Sequence, residues 1–170
     1  MIHDYFCACE TAEDAKSTYK KYCKILHPDC GGSTADFQEL QRQFEVAFSR
    51  LKTIHVSHMG EKYTQDTDES ADEFMDIIDI LLHLHGVDVE LCGSWLWITG
   101  DTKPYKDKLK SIGGRWSHNK KCWYIHRGDY HRYHSKSYSL DDIRNMYGSK
   151  PFSHHKDDHD NHPQIYTSTR

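Results

Sequence analysis

A proline at position 28 separates two stretches of helical periodicity, and this break constrains the first third of the chain most strongly. Before it, apolar residues recur at helical spacing: Ala15, Tyr19, Tyr22 and Leu26. After it, a second such series follows: Phe37, Leu40, Phe44, Ala47, Phe48 and Leu51. Because proline keeps the preceding residue out of the helical region, the pattern predicts two amphipathic helices joined by a short loop, an antiparallel hairpin.

Capping signals set the start of each helix. Thr11 is followed three residues later by Asp14, and Ser33 by Asp36, which are patterns typical of a helix N-terminus. A third signal, Ser70 with Glu73, predicts a helix that ends before Gly86. Residues 57–69 lack periodicity and are predicted to be an acidic linker.

Strand patterns appear only after residue 86. Apolar and acidic residues alternate over 87–91, and 95–98 is a continuous apolar run after a glycine-containing turn, so these two segments are predicted to form a hairpin. Segments 115–116 and 122–125 are predicted to form a second hairpin. A basic helix is predicted between them over 102–112, and Ser139 with Asp142 starts a last helix. Residues 70–148 are therefore predicted to form an α+β module of order β-β-α-β-β with a helix at either end.

The predicted class is mainly α with α+β. The domains are a helical N-terminal domain over 1–56, the linker over 57–69, the α+β module over 70–148 and a disordered His-rich tail over 149–170.

Composition narrows the functional classes. The 170-residue chain has a mean hydropathy of −0.86 and lacks an apolar run of the ~20 residues that a membrane span needs, so a membrane protein is excluded. The N-terminus has no apolar signal region, so we expect a cytoplasmic protein whose six cysteines are free thiols. Charge is uneven: residues 60–92 carry 1 basic and 10 acidic side chains, and residues 93–148 carry 11 and 5.

The loop between the first two helices reads His27-Pro28-Asp29, and the helix before it carries a set of lysines: Lys16, Lys20, Lys21 and Lys24. With the aromatic-striped helix that follows, residues 5–52 resemble a J domain, the co-chaperone module that stimulates Hsp70 ATPases. The resemblance implies that the loop and the lysines bind an Hsp70. No Gly/Phe-rich region or Cys-x-x-Cys repeats follow, which implies a J protein specialised by its attached module.

Residue chemistry also allows simpler interpretations of these features. Asp29 or Ser33 can serve only to cap the second helix, and a run of lysines often only solvates a helix face. If the loop binds a partner, His27 and Asp29 should both project from the hairpin, where neither contributes to the core.

The α+β module combines aromatic and basic residues. A candidate partner or nucleic-acid surface comprises Trp95, Trp97, Trp116, Trp123, Arg115, Lys120 and Lys121, because bases stack on aromatic rings and phosphates bind cations. The alternative is that the tryptophans form the core of a small sheet. Alternation places Trp95 and Trp97 on one face, with one face against a helix and one against a partner.

No enzyme motif is visible, and no catalytic residue, cofactor or metal is expected. Four cysteines (Cys7, Cys9, Cys23 and Cys30) with His27 lack zinc-knuckle spacing, and the tail histidines lack groups to hold them in place. The sequence therefore predicts a non-enzymatic Hsp70 co-chaperone whose C-terminal module selects an unknown client. The alternative is a nucleic-acid-binding accessory protein of a phage or mobile element.

Overall fold

The computed structural model describes residues 4–57, 59–127, 138–148 and 150–152. Helix α1 spans Ala12–Leu26, and the Thr11 side chain accepts a hydrogen bond from the Asp14 backbone N–H, as the capping pattern predicts. His27, which precedes the proline, is extended, and a short 3-10 turn covers Pro28–Cys30.

Helix α2 spans Thr34–Leu51 and returns antiparallel to α1. The ring centroids of Tyr19 and Phe44 lie 4.5 Å apart. Nearer the loop, the ring centroids of His27 and Phe37 lie 4.8 Å apart. The predicted apolar faces meet, although Phe37 is only partly buried. The two helices therefore form the predicted hairpin, with the 27–33 loop at one end.

The segment predicted as a linker is partly structured. Strands β1 (Ile54–Val56) and β2 (Lys62–Thr64) pair antiparallel, so the linker prediction over 57–69 is wrong for β2. Each of these two strands has only three residues, which is too few for a strand pattern to be visible in the sequence.

Helix α3 spans Ala71–Leu82, and Ser70 caps it by accepting from the Glu73 N–H. It packs on the hairpin: the ring of Phe74 lies 5.6 Å from Phe44 and 6.3 Å from Tyr19. We predicted this helix as part of the C-terminal module, whereas its apolar side contributes to the core of the N-terminal helices.

The C-terminal part contains a five-stranded antiparallel sheet of order β5-β6-β4-β3-β7. Its strands are β3 (Val87–Cys92), β4 (Trp95–Gly100), β5 (Arg115–Ser117), β6 (Cys122–Ile125) and β7 (Lys150–Phe152). The two predicted hairpins are confirmed. The mixed α+β class is confirmed as well.

Two short helices complete this part. Helix α4 spans Lys106–Ser111, behind a 3-10 turn over Lys103–Tyr105, and α5 spans Leu140–Tyr147 with a full capping box between Ser139 and Asp142. Both were predicted.

Strand β7 pairs antiparallel with β3, with Pro151 opposite Glu90. The prediction of disorder from residue 149 onward is therefore wrong for β7, because pairing with a neighbouring strand stabilises a segment that lacks aliphatic residues of its own. The rest of the predicted tail, including its histidines, lies outside the described residues. In the part of the chain that the structure describes, no helix is long and apolar enough to cross a membrane.

Both faces of the sheet pack against helices. Leu96 and Ile98 of β4 face the main core, which they share with the three long helices. On the opposite face Trp97 packs with Cys92 and Cys122, and α5 covers this group with Leu140 and Ile143. Helix α5 therefore occupies part of the face on which Trp95 and Trp97 lie, and Trp95 stays half-buried there.

Candidate interaction site at the hairpin loop

The imidazole of His27 lies inside the protein and not on its surface. Its exposed fraction is 7%, and its ring packs edge-on against Phe37. Nδ1 accepts from the backbone N–H of Asp29 at 3.2 Å, so the proton is on Nε2, which donates to Oδ1 of Asp79 at 2.9 Å. The prediction that His27 projects from the hairpin is wrong because α3 packs against the loop and supplies Asp79.

The Asp29 side chain does project, as predicted, with 67% of it exposed. Its Oδ2 accepts from Nε2 of His83 at 2.8 Å, and Nδ1 of His83 donates to the Asp79 carbonyl at 2.7 Å. Since both partners of His83 are acceptors, its imidazole is protonated. The hydrogen bond with His83 lowers the pKa of Asp29, and the same bond raises the pKa of His83.

Two glycines close the loop. Gly31 has a φ of 90°, in the left-handed region that favours glycine. At Gly32, an added Cβ would lie 2.1 Å from the carbonyl oxygen of Leu26, so any larger residue would displace the backbone. The Gly31-Gly32 pair therefore fixes the loop that presents Pro28 and Asp29.

The four lysines of α1 do not share one surface. Lys16 is buried in an ion pair with Glu69, and its Nζ lies 5.2 Å from the centroid of the Phe74 ring. Lys20 is 3% exposed. The prediction of a four-lysine interaction face is wrong, because the segment leading into α3 and α3 itself cover one side of α1. Lys21 is exposed and Lys24 half-buried.

The four tryptophans are split between the faces of the sheet. Trp95 and Trp97 stack at 5.6 Å on one face, as alternation predicts, and Trp116 contacts Trp123 edge-on at 5.7 Å on the other. Trp97 and Trp123 are buried, Trp95 is half-buried and Trp116 is 40% exposed. A platform of four stacking rings is therefore not formed.

Of the basic members of the predicted surface, two are exposed: Arg115 and Lys121. Lys120 is half-buried, with its Nζ 5.5 Å from the centroid of the Trp97 ring. The exposed part of the predicted surface is thus the edge strand β5 and its turn, around Trp116.

The cysteines are free thiols, as predicted. Four are buried, and burial raises the pKa of the Cys23 thiol to about 12 and that of Cys92 to about 11. Burial therefore favours the protonated, less nucleophilic form of the Cys23 and Cys92 thiols at neutral pH.

The sequence patterns did not identify Asp79 of α3 or His83, the residue that caps its C-terminus. Their signal is an acid and a histidine four residues apart, on one face of a helix. Nothing in that spacing points to a loop about 50 residues earlier in the chain.

Comparison of the chain with models of protein families, with curated proteins and with solved structures found no match in any of the three. The resemblance to a J domain thus rests on the residues of the loop and its two helices alone.

Proposed function

We propose that the protein is a non-enzymatic Hsp70 co-chaperone that contacts its partner through the end of the α1–α2 hairpin. The observation that carries the proposal is the position of Pro28 and Asp29, both exposed on a loop closed by two glycines at the tip of two antiparallel helices. Such a rigid, exposed polar loop suits a partner contact.

Fewer lysines can contribute to the proposed Hsp70 contact than the four in the sequence suggest. Lys21 is exposed and Lys24 is half-exposed in the last turns of α1, next to the loop. These two side chains can steer the tip towards an acidic surface, because exposed charges at the rim of an interface act mainly on the association rate. Lys16 and Lys20 contribute to the fold instead.

Asp29 supplies the acceptor oxygens for a basic group on Hsp70. In the free protein His83 occupies one of these oxygens, so partner binding exchanges that hydrogen bond for one to Hsp70. The nucleotide and the hydrolytic groups all belong to Hsp70, and the co-chaperone acts by favouring one of its conformations.

The C-terminal module would select the client. Among the described residues, strand β5 lies at the edge of the sheet and pairs only with β6, and it presents Trp116 and Arg115 to solvent. An exposed edge strand with an aromatic side chain is a common site for a peptide or protein partner.

The test is single-turnover ATP hydrolysis by purified Hsp70 proteins of bacterial and eukaryotic origin. We expect the chain to stimulate hydrolysis by at least one of them and Asp29→Asn to abolish the stimulation with an unchanged circular dichroism spectrum. Asp88→Asn, at an exposed carboxylate on β3, is the control and should retain full stimulation.

Absence of stimulation with every Hsp70, or full stimulation by Asp29→Asn, would contradict the proposal. The second candidate is nucleic-acid binding, which the exposed Trp116 next to the exposed Arg115 favours. It is tested by gel retardation of a labelled single-stranded oligonucleotide. Salt-dependent retardation that is lost in Trp116→Ala would make nucleic-acid binding the better-supported function.

A further inference from the structure

Three side chains at the loop converge on one point. One ligand atom from each of His27, Asp29 and His83 lies within 4.8 Å of the other two. Oδ2 of Asp29 is 2.8 Å from Nε2 of His83 and 3.8 Å from Nδ1 of His27. Two imidazole nitrogens and a carboxylate oxygen form a donor set that zinc accepts, with a fourth position for water.

Asp79 orients both imidazoles. Its carboxylate accepts from Nε2–H of His27 at 2.9 Å, and its backbone carbonyl accepts from Nδ1–H of His83 at 2.7 Å. Histidines that bind a metal commonly donate their second N–H to a carboxylate or a carbonyl, which fixes the ring and the tautomer. Here Asp79 accepts the second N–H of both rings. The other ring nitrogens, Nδ1 of His27 and Nε2 of His83, therefore face Asp29.

The charges of the group also suit a divalent cation. Without a metal, the close approach of His83 to Asp29 requires a proton on Nε2 of His83. A cation replaces this proton, and its two positive charges are balanced by the carboxylates of Asp29 and Asp79. The rings differ in mobility, since His27 is packed against Phe37 and the half-exposed His83 can adjust its position.

We propose that His27, Asp29 and His83 bind a divalent transition metal ion of the zinc type, with Asp79 as the residue that positions both histidines. The site joins the loop to α3, across more than 50 residues of sequence. Binding releases the proton of His83 and replaces the contact between His27 Nδ1 and the Asp29 N–H. This proposal shares the Asp29 carboxylate with the proposed Hsp70 contact but does not rest on that contact, and its test contains no Hsp70.

The test measures the thermal unfolding midpoint of the full chain with and without Zn²⁺. An ion that joins the loop to α3 binds only the folded state, so saturating Zn²⁺ should raise the midpoint by several degrees. His83→Gln should lose this shift relative to its own metal-free midpoint. His118→Gln, at an exposed histidine in the turn after β5, is the matched control and should retain it.

Zn²⁺ bound only by histidines elsewhere in the chain would give equal shifts in the wild type and His83→Gln, and this result would overturn the proposal. So would the absence of a shift in the wild type, or its loss in His118→Gln. Co²⁺ provides a second readout, because its visible absorption reports direct ligation: the band should weaken in Asp29→Asn, which keeps the size of the side chain.

Discussion

At the residue scale, histidines pair with acidic side chains that are distant in sequence. Besides the loop, His55 of β1 places Nδ1 2.7 Å from Oε1 of Glu13 in α1, and both side chains are at most 15% exposed. The hydrogen bond with Glu13 raises the pKa of His55 above its ordinary value of 6.5. The pair therefore stabilises the packing of the β1–β2 hairpin on α1 while His55 is protonated.

The pair makes stability depend on pH. Because the folded state binds this proton more tightly than the unfolded chain, the contribution is complete below the ordinary pKa and is lost as pH rises through the raised pKa. The difference in unfolding free energy between the wild type and His55→Gln should thus shrink as pH rises above about 6.5. Urea denaturation at a series of pH values measures it.

His118→Gln is the control, because His118 is exposed. Its free energy of unfolding should change with pH in parallel with that of the wild type. A difference between the wild type and His55→Gln that does not change with pH would show that the proton of His55 does not contribute to stability.

At the scale of elements, α5 is a short helix that combines apolar packing on the sheet with one ion pair to a buried carboxylate. With eight residues it is too short to be stable alone, so it depends on its docking to the sheet. Arg144 holds the buried Glu90 of β3 with two hydrogen bonds, one of them from Nε to Oε2 at 2.7 Å. Arg144 also contacts Asp141, which is 82% exposed.

Arg144→Ala should therefore loosen α5 and leave the Glu90 carboxylate buried without this partner. Because a third of the Arg144 side chain is exposed, water replaces part of the interaction, and we expect a loss of about 1–3 kcal/mol in unfolding free energy. Urea denaturation measures the loss, and hydrogen exchange of the α5 amides locates it.

Two variants test the cause. Adding Glu90→Gln to Arg144→Ala should recover part of the loss, since it removes the buried charge. Asp141→Asn breaks only the exposed pair and should cost less than about 0.5 kcal/mol. Equal effects of Asp141→Asn and Arg144→Ala would contradict the role assigned to Glu90.

The elements themselves were largely predictable, because their signals are local. Thr11, Ser70 and Ser139 cap helices as their sequence contexts predict, and the two large hairpins of the sheet follow from alternation and turn residues. Strands β1, β2 and β7 were missed, since three residues hold too little pattern. Strand β7 also pairs with β3, which lies far earlier in the chain.

The candidate site was predictable only in part, because the burial of a helix face depends on what packs against it. The periodicity of α1 identified its apolar side, but Lys16 and Lys20 are buried as well, and Lys16 is paired with Glu69 of the segment before α3. Helix α3 contacts the buried His27 through Asp79. Asp29 remains exposed, so one of the two predicted loop side chains is available to a partner.

At the scale of the whole molecule, the acidic middle segment connects the two halves. Its Glu69 pairs with Lys16 and its Asp79 with His27, so the segment with the largest net negative charge covers part of the basic helix. Among the described residues, one hydrophobic cluster extends from Phe6 through α3 to Ile125 of the sheet. The predicted boundary between residues 56 and 70 does not separate two cores.

This continuity predicts that the hairpin and the sheet unfold together. Phe44 is fully buried between Phe6, Tyr19, Phe48 and Phe74, so Phe44→Ala should cost about 3–5 kcal/mol. The four tryptophans all lie between residues 95 and 123, so their fluorescence reports on the sheet, whereas far-ultraviolet circular dichroism reports mainly on the helices. Both midpoints in urea should fall by the same amount.

Val46→Ala is the matched control on α2, because Val46 is 64% exposed and its truncation should change the free energy of unfolding by less than about 0.5 kcal/mol. If Phe44→Ala lowered only the circular dichroism midpoint, the sheet would be an independent unit. A common shift would instead show that the loop, α3 and the sheet belong to one cooperative structure. Changes at the hairpin tip would then reach the C-terminal module through the core they share.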